Sequence, residues 1–226
     1  MDPKQRAALA AVEMLTSGMV VGLGTGSTAE YFIRALGEAI RTGRFKSIRG
    51  VPTSTRSEQL ARELSIPLVS LAQVDQIDVD VDGADEIDPK LDLIKGLGGA
   101  LLREKIIAQN SRRMVVIADA SKRVDVLGSR APLPVEVVQF EHDAQARFLR
   151  TLGCTPTLRT GADGKPFVTD NGNVLYDCRF ARIQDAEGLE AALQQRAGIV
   201  ESGLFLDIAD TAIIADADGV KVLKRK

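Results

Sequence analysis

A short apolar run passes directly into a glycine-rich turn in Met19-Val20-Val21-Gly22-Leu23-Gly24-Thr25-Gly26-Ser27-Thr28. Residues 29–40 then carry apolar side chains at helical spacing, so the stretch predicts a buried strand, a loop and a helix. Glycines let the loop amides turn toward a ligand, and the following helix N-terminus carries a partial positive charge. The loop therefore predicts a phosphate site. The structural alternative is a tight turn in which Ser27 or Thr28 caps the helix.

Strands and helices alternate on both sides of this unit. A helix is predicted over Lys4–Leu15. Further strands are predicted at 48–51, 67–70, 77–82, 93–95 and 114–119, with helices at 56–64 and 100–109. Such alternation predicts an α/β fold, a Rossmann-like, open and mostly parallel sheet with helices on both faces.

The pattern changes at residues 129–134, which hold two prolines and no periodicity and are interpreted as a linker. Strands are then predicted at 135–139, 155–159, 167–169, 174–178 and 199–200, with helices at 142–152 and 186–197. This order approximates the α+β, ferredoxin-like βαββαβ arrangement. Apolar runs in the tail are expected to return to the first sheet. We predict a Rossmann-like domain over residues 1–129 and 204–226, and a smaller ferredoxin-like domain over residues 130–203.

Composition excludes several classes of protein. The 226 residues carry 29 Lys+Arg and 31 Asp+Glu, a net charge of -2, so no broad positive field favours nucleic acid. One histidine and two cysteines leave little for zinc clusters, histidine triads or a disulfide framework. No apolar stretch approaches the roughly 20 residues of a membrane span. The N-terminal segment has no signal-peptide pattern, so a cytoplasmic location is expected.

A dinucleotide site is the first alternative for the glycine loop. That site requires the spacing G-x-G-x-x-G and an acidic residue about 20 positions later. Here the glycines stand at positions 22, 24 and 26, so the last glycine of the motif is missing from its required place. The stretch 41–46 is basic where the motif requires an acidic residue. The sequence therefore disfavours an NAD-dependent oxidoreductase.

The strand predicted at 77–82 alternates apolar and acidic residues. We interpret Asp78 and Asp80 as part of a solvated edge strand. Asp82 and Asp85 follow at its carboxyl end, where ligands bind in open α/β sheets, so these two are candidate site residues. Carboxylates could hold Mg²⁺, although no histidine lies nearby in the sequence.

A third candidate group begins with Lys95, which ends an apolar run and is expected at the same sheet edge. The glycines of Gly96–Gly99 form a loop whose amides could face an oxyanion. Glu104 follows in the first turns of the next helix, where the alternative is an exposed glutamate paired with a basic neighbour. Lys122 lies just past the strand at 114–119 and could neutralise a phosphate or be solvated.

Four blocks, in this order and spacing, resemble the signature of the type A ribose-5-phosphate isomerase family. The blocks are Gly22–Ala29, Asp82–Glu86, Lys95–Ala100 with Arg103–Lys105, and Lys122–Arg123. The resemblance extends over essentially the whole chain. One departure is Leu97, where some members have glycine; leucine is tolerable there if only its amide is used and its side chain points away.

The resemblance implies an aldose–ketose isomerase that interconverts D-ribose 5-phosphate and D-ribulose 5-phosphate through an enediol(ate), in the non-oxidative pentose phosphate pathway. It implies Glu104 as the general base. Asp82, Asp85 and Lys95 assist ring opening and polarise or protonate oxygens, with the division among them left open. The implied substrate-binding positions are Thr25, Gly26, Ser27, Thr28, Asp82, Gly83, Ala84, Asp85, Lys95, Gly96, Leu97, Gly98 and Lys122.

Further expectations follow from the same resemblance. The first domain is catalytic and the second is a lid or oligomerisation domain. The family uses no metal and no cofactor, its partner is the small pentose phosphate, and its members form homo-oligomers, commonly homodimers. Lys4 is expected to approach the phosphate. The alternative from another class is a sugar-phosphate sensor that performs no chemistry, and it is disfavoured because about 18 residues are too few for a DNA-binding helix-turn-helix before the first strand.

Overall fold

The structure, a computed structural model, describes residues 1–225. Within them the helices are α1 (Pro3–Val12), α2 (Ser27–Arg41), α3 (Thr55–Glu63), α4 (Leu101–Gln109), α5 (His142–Thr151) and α6 (Ala186–Gln194). The strands are β1 (Val20–Leu23), β2 (Arg49–Pro52), β3 (Val79–Asp82), β4 (Glu86–Ile87), β5 (Leu93–Ile94), β6 (Met114–Asp119), β7 (Leu133–Val137), β8 (Thr155–Leu158), β9 (Val174–Arg179), β10 (Ile199–Ser202), β11 (Leu204–Phe205), β12 (Ala209–Ala215) and β13 (Val220–Lys224).

The first compact unit comprises Met1–Ala84, Arg103–Lys122 and the chain from Asp207 onward. Its six-stranded sheet has the order β13-β12-β6-β3-β1-β2. All neighbouring strands are parallel except β13, which is antiparallel to β12 at one edge. The predicted open, mostly parallel sheet is therefore confirmed.

Apolar side chains cover both faces of this sheet. On one face, Val21 of β1 and Val79 of β3 belong to the cluster that contains Phe32 of α2. On the other face, Val20 packs in a cluster with Ile107 of α4. Alternate residues of a strand point to opposite faces, so helices cover both faces, as the sequence predicts.

The acidic strand differs from its predicted environment. β3 lies between β1 and β6, not at an edge, and Asp80 is fully buried rather than solvated. Asp78 is half-buried and accepts a hydrogen bond from the Val20 N–H at 2.8 Å. The interpretation of Asp78 and Asp80 as a solvated edge is therefore wrong.

Gly22 on β1 and Gly24, just after the end of β1, explain how the acids are accommodated. A Cβ added at Gly22 would lie 2.4 Å from Oδ1 of Asp80, and one at Gly24 would lie 2.3 Å from Oδ1 of Asp82. The carboxylates thus occupy the space that side chains of β1 would need. Alternation alone cannot reveal this, because the space belongs to another strand.

The second compact unit comprises Asp85–Leu102 and Arg123–Leu206. Its antiparallel sheet has the order β10-β7-β9-β8, and β7-α5-β8-β9-α6-β10 is the predicted βαββαβ sequence. Apolar residues of this sheet cluster with Leu149 of α5 and Leu193 of α6. The ferredoxin-like fold class is confirmed.

Two predicted strands are reduced to isolated bridges. Residues 67–70 contribute only the pairing of Leu68 with Gly50, and residues 167–169 only that of Val168 with Val174. β7 begins at Leu133, so the prediction of a linker over residues 129–134 is wrong at its last two residues. Its Pro134 is accommodated there, although proline lacks a donor for the sheet.

A small sheet with the order β11-β5-β4 lies in the second unit. Both of its pairings are antiparallel. β5, which precedes Lys95, therefore lies outside the parallel sheet, contrary to the prediction. β11 likewise does not return to the first sheet, whereas β12 and β13 do.

The units therefore differ from the predicted boundaries of 1–129 with 204–226 and 130–203. Residues 85–102, 123–129 and 204–206 group with the second unit. The buried Glu86 of β4 gives a physical reason. Its carboxylate accepts hydrogen bonds from the N–H groups of Gly128 at 2.6 Å, Arg130 at 2.6 Å and Ala131 at 2.7 Å. Such charge-assisted bonds tie β4 to that segment.

Candidate active site

The glycine loop of the first unit ends at the N-terminus of α2. Gly26 is the N-cap residue with φ +110°, and no side chain caps the helix. The capping alternative for Ser27 and Thr28 is therefore wrong. The first amides of α2 lack helical partners, which is the arrangement that binds anions at helix N-termini. The hydroxyl of Ser27 instead accepts a hydrogen bond from Nζ of Lys4 at 3.0 Å.

Thr25 connects the ends of three strands. Its hydroxyl lies 2.7 Å from that of Thr53 and 2.8 Å from that of Ser54, both just beyond β2. Its backbone N–H donates to Oδ1 of Asp82 at 2.9 Å. Sequence reasoning missed Thr53 and Ser54. Their signal was the Pro-Thr-Ser-Thr turn after a predicted strand, a position equivalent to that of the glycine loop.

Asp82 is fully buried at the carboxyl end of β3. Its Oδ1 accepts the N–H groups of Thr25 and, at 2.6 Å, of Gly83. Two backbone donors fix the orientation of the carboxylate, and the missing side chain of Gly24 gives it room. Asp82 therefore lies where the open-sheet rule places ligands.

Glu104 lies in the first turn of α4 and is 3% exposed. Ile107 lies one turn further along α4. A Cβ added at Gly22 would lie 2.9 Å from Cγ2 of Ile107, so α4 packs on the face of β1 toward which a side chain at position 22 would point. Asp80 and Asp82 point to this same face of the sheet. α4 leads into β6, so its first turn lies toward the carboxyl ends of the parallel strands. Glu104 and Asp82 thus share one face and one edge of the sheet.

Lys122 is half-buried in the short turn after β6. The Asp119 carboxylate before it accepts hydrogen bonds from the N–H of Ser121 at 2.9 Å and from the Ser121 hydroxyl. Burial alone would raise the pKa of Asp119. The hydrogen bonds from Ser121 and the charges of Lys122 and Lys4 outweigh it and hold that pKa below its usual value. Both lysines therefore act on one carboxylate in the first unit.

The second unit contains the other predicted site residues. Oδ2 of Asp85 accepts the N–H of Leu97 at 2.9 Å. Lys95 is 2% exposed, and its ammonium lies 5.4 Å from the ring centroid of Phe205. Gly96 and Gly99 adopt φ values of +105° and +85°, which favour glycine. The side chain of Leu97 is 42% exposed, so leucine is tolerated beside the glycines.

The structure thus gathers the predicted residues in two groups. The first unit holds Thr25, Gly26, Ser27, Thr28, Asp82, Gly83, Ala84, Glu104 and Lys122. The second unit holds Asp85, Lys95, Gly96, Leu97 and Gly98. Within residues 1–225, no cluster of three or more His, Cys, Asp or Glu side chains is suited to a metal ion. In the same range, no helix has the length and apolarity that crossing a bilayer requires.

The uncapped N-terminus of α2 and the buried carboxylates at the strand ends are suited to a small anionic ligand in an α/β fold. The family model for ribose 5-phosphate isomerase A (phosphoriboisomerase A) matches residues 49–219. A ribose-5-phosphate isomerase A from Roseiflexus castenholzii is 51% identical over 221 residues, covering 98% of this chain and 94% of the relative. One from Parvibaculum lavamentivorans is 51% identical and covers 99% and 98%.

Solved structures agree with the sequence relatives. A D-ribose-5-phosphate isomerase in complex with phospho-erythronic acid matches with a TM-score of 0.96 and 44% identity over 100% of both chains. The ribose 5-phosphate isomerase A of Methanocaldococcus jannaschii matches with a TM-score of 0.94 and 40% identity, covering 99% and 98%. The chain belongs to the ribose 5-phosphate isomerase A family. It is an aldose–ketose isomerase that interconverts ribose 5-phosphate and ribulose 5-phosphate, a reaction of the pentose phosphate pathway.

Proposed function

We propose that Glu104 is the general base that moves a proton between C2 and C1 of the sugar phosphate. The observation that carries this proposal is the buried carboxylate of Glu104 on the same sheet face and edge as Asp82. Isomerisation through an enediolate requires one group to take a proton from one carbon and return it to the other. A carboxylate with little exposure to water retains the proton long enough for that return.

The other polar residues act on the oxygens of the substrate. Asp82 and Asp85 each accept hydrogen bonds from backbone N–H groups, so their carboxylates have fixed directions toward sugar hydroxyls. Lys95 supplies a positive charge that stabilises an oxyanion, and the loop amides add further donors. These three side chains share ring opening and the proton transfers between oxygens.

The phosphate group binds at the N-terminus of α2. The uncapped amides after Gly26, the hydroxyl of Ser27 and the ammonium groups of Lys4 and Lys122 supply donors and positive charge. Thr28 is the next residue of the same first turn. Holding the remote phosphate orients the reacting carbons, which contributes to catalysis without any change at the phosphate itself.

Ser27→Ala and Lys122→Ala are expected to raise KM by roughly 10-fold and to change kcat less. A phosphate contact is the same in the ground state and the transition state, so its loss weakens the binding of both equally. Steady-state kinetics with ribose 5-phosphate measure both constants. Lys46→Ala, an exposed lysine of the same unit, is the matched control. A large fall in kcat at unchanged KM for both variants would move the phosphate site elsewhere.

Activity is expected to survive removal of divalent metals. Lys95 and the loop amides supply the electrostatic stabilisation that an ion provides in metal-dependent isomerases. The measurement is kcat after exhaustive dialysis against a chelator, with and without added Mg²⁺ or Mn²⁺. Loss of activity that either ion restores would reassign Asp82 and Asp85 as metal ligands.

Direct assay tests the function as a whole. Ribose 5-phosphate incubated with the protein should yield a ketose at the same rate with and without NAD, whereas a sensor would yield none and an oxidoreductase would require the nucleotide. Phospho-erythronic acid, present in the solved structure of a relative, is a sugar-acid phosphate that shares a phosphate and hydroxyl groups with the substrate. We expect it to compete with the substrate in this chain as well.

The oligomeric state, location and partners of the chain belong to the same proposal. The chain acts as a homodimer in the cytoplasm, with pentose phosphates as its partners and no nucleic acid or membrane partner. The net charge of -2 supports the absence of a nucleic-acid partner, and the family resemblance supports the homodimer and the sugar-phosphate partner. Light scattering at enzyme concentrations in the micromolar range should give twice the 24.3 kDa mass of one chain. A monomer mass with full activity would contradict the homodimer.

A further inference from the structure

Arg159 of the second unit contacts the Gly96–Gly99 loop from the side of the four-stranded sheet. Its Nη1 donates to the carbonyl oxygen of Gly96 at 3.0 Å and to that of Leu97 at 3.1 Å. The side chain is 13% exposed and follows β8, 63 residues away along the chain. Nothing in the predicted chemistry uses this arginine.

Two neighbours fix the guanidinium. Nε and Nη2 of Arg159 donate to the two carboxylate oxygens of Asp177 at 3.0 Å and 2.5 Å, a bidentate pair of the strong type. The guanidinium carbon also lies 5.9 Å from the ring centroid of Phe167. That ring packs directly on the loop, because a Cβ at Gly99 would lie 2.6 Å from its Cζ. The loop therefore contacts Arg159 and Phe167, and Asp177 holds the guanidinium of Arg159 in place.

Peptide geometry converts these contacts into a direction for the loop amides. In a planar trans peptide the C=O of one residue and the N–H of the next point in opposite directions. Because the Gly96 carbonyl faces Arg159, the N–H of Leu97 points away from it, and Oδ2 of Asp85 receives that N–H at 2.9 Å. Because the Leu97 carbonyl faces the same Nη1, the N–H of Gly98 also points away from the arginine. The N–H groups of Leu97 and Gly98 therefore both point to the side of the loop that faces away from Arg159.

We propose that Arg159, held by Asp177, is a positioning residue for the isomerase reaction. It holds two successive carbonyls so that the amides of Leu97 and Gly98 face Asp85 and an oxygen of the enediolate. This inference rests on the proposed role of the Lys95–Gly98 loop in stabilising the oxyanion. Arg159 itself does not touch the substrate, so it acts on the transition state through the loop.

Arg159→Ala is expected to lower kcat by about 10- to 100-fold while KM changes less than about 3-fold, because misplaced oxyanion donors cost transition-state stabilisation. Arg159→Lys should give an intermediate kcat, since an ammonium cannot bond both carbonyls and both Asp177 oxygens at once. Methylguanidinium should restore kcat of Arg159→Ala saturably, whereas tetramethylammonium, which has no N–H, should not.

Arg179→Ala is the matched control, because this arginine lies on β9 of the same sheet and donates to the carbonyl of Arg130 rather than to the loop. Its kcat should equal that of the wild type and should not respond to methylguanidinium. A lower melting temperature of Arg159→Ala with unchanged kcat would overturn the proposal. If Arg159→Ala does not fold, a wild-type kcat in Arg159→Lys overturns it equally.

Lys95→Met separates this inference from the role of the loop. If Lys95→Met loses activity while Arg159→Ala keeps it, only the positioning role of Arg159 fails. If both variants keep wild-type kcat, the proposed role of the Lys95–Gly98 loop in oxyanion stabilisation fails. A fall in kcat for both, with rescue by methylguanidinium confined to Arg159→Ala, supports the proposal.

Discussion

Glu104→Gln is expected to lower kcat by about 10²–10⁴-fold, or roughly 3–5 kcal/mol of barrier, with the fold and substrate binding retained. Glutamine has nearly the same shape and keeps a hydrogen-bonding side chain at this buried position, but it cannot accept a proton from carbon. Competition by phospho-erythronic acid should survive the change, because that ligand requires no proton transfer to bind.

Isotope exchange provides the companion measurement. In D₂O the wild type should place some solvent deuterium on the product carbon, because the proton on Glu104 can exchange in a fraction of turnovers before it returns to carbon. Glu104→Gln should lose exchange and isomerisation together. Glu38→Gln is the matched control, since Glu38 is an exposed helix glutamate paired with Arg41. A Glu104→Gln protein that isomerises within a few-fold of wild type would make Glu104 an ordinary helix residue and Asp82 the next candidate base.

Gly24→Ala is expected to lower the free energy of unfolding by about 3 kcal/mol. The added Cβ would lie 2.3 Å from Oδ1 of Asp82 and 2.6 Å from its Cα. Rotating the carboxylate relieves only the first contact, because the second involves the backbone of β3. The strands must therefore separate or Asp82 must move, and kcat should fall with the stability.

Urea denaturation and steady-state kinetics measure the two consequences of this substitution. Gly219→Ala is the matched control, because a Cβ at Gly219 meets no atom within 4 Å. That variant should be as stable and as active as the wild type. A Gly24→Ala protein with unchanged stability and kcat would show that Asp82 can leave its buried position without consequence, and the proposed role of Asp82 would then be lost.

The sequence predicts well whatever depends on local pattern. β6 has the predicted bounds, and α2 begins where the glycine loop ends. The βαββαβ order is also visible, because apolar runs and turn residues alternate at short range. These features require no knowledge of which strands become neighbours.

The failures arise from contacts between distant parts of the chain. Burial of Asp80 depends on Gly22, which lies on a neighbouring strand. The placement of β5 outside the parallel sheet depends on its pairing with β4 and with β11, which is remote in sequence. Arg159 has no motif around it, and its contact with Gly96 spans 63 positions. Pattern reasoning has no access to such pairings.

The glycines that face the acids of β3 also bear on how this family's sequences can diverge. Glycines before a helix are usually attributed to phosphate binding, yet Gly22 and Gly24 are required by the carboxylates of Asp80 and Asp82. Each glycine and its aspartate therefore form a pair whose substitutions are not additive. A lineage that loses the acid at position 80 loses the shortest of the contacts that a side chain at position 22 would meet. Covariation between these two columns of an alignment would then record a steric constraint rather than a shared ligand.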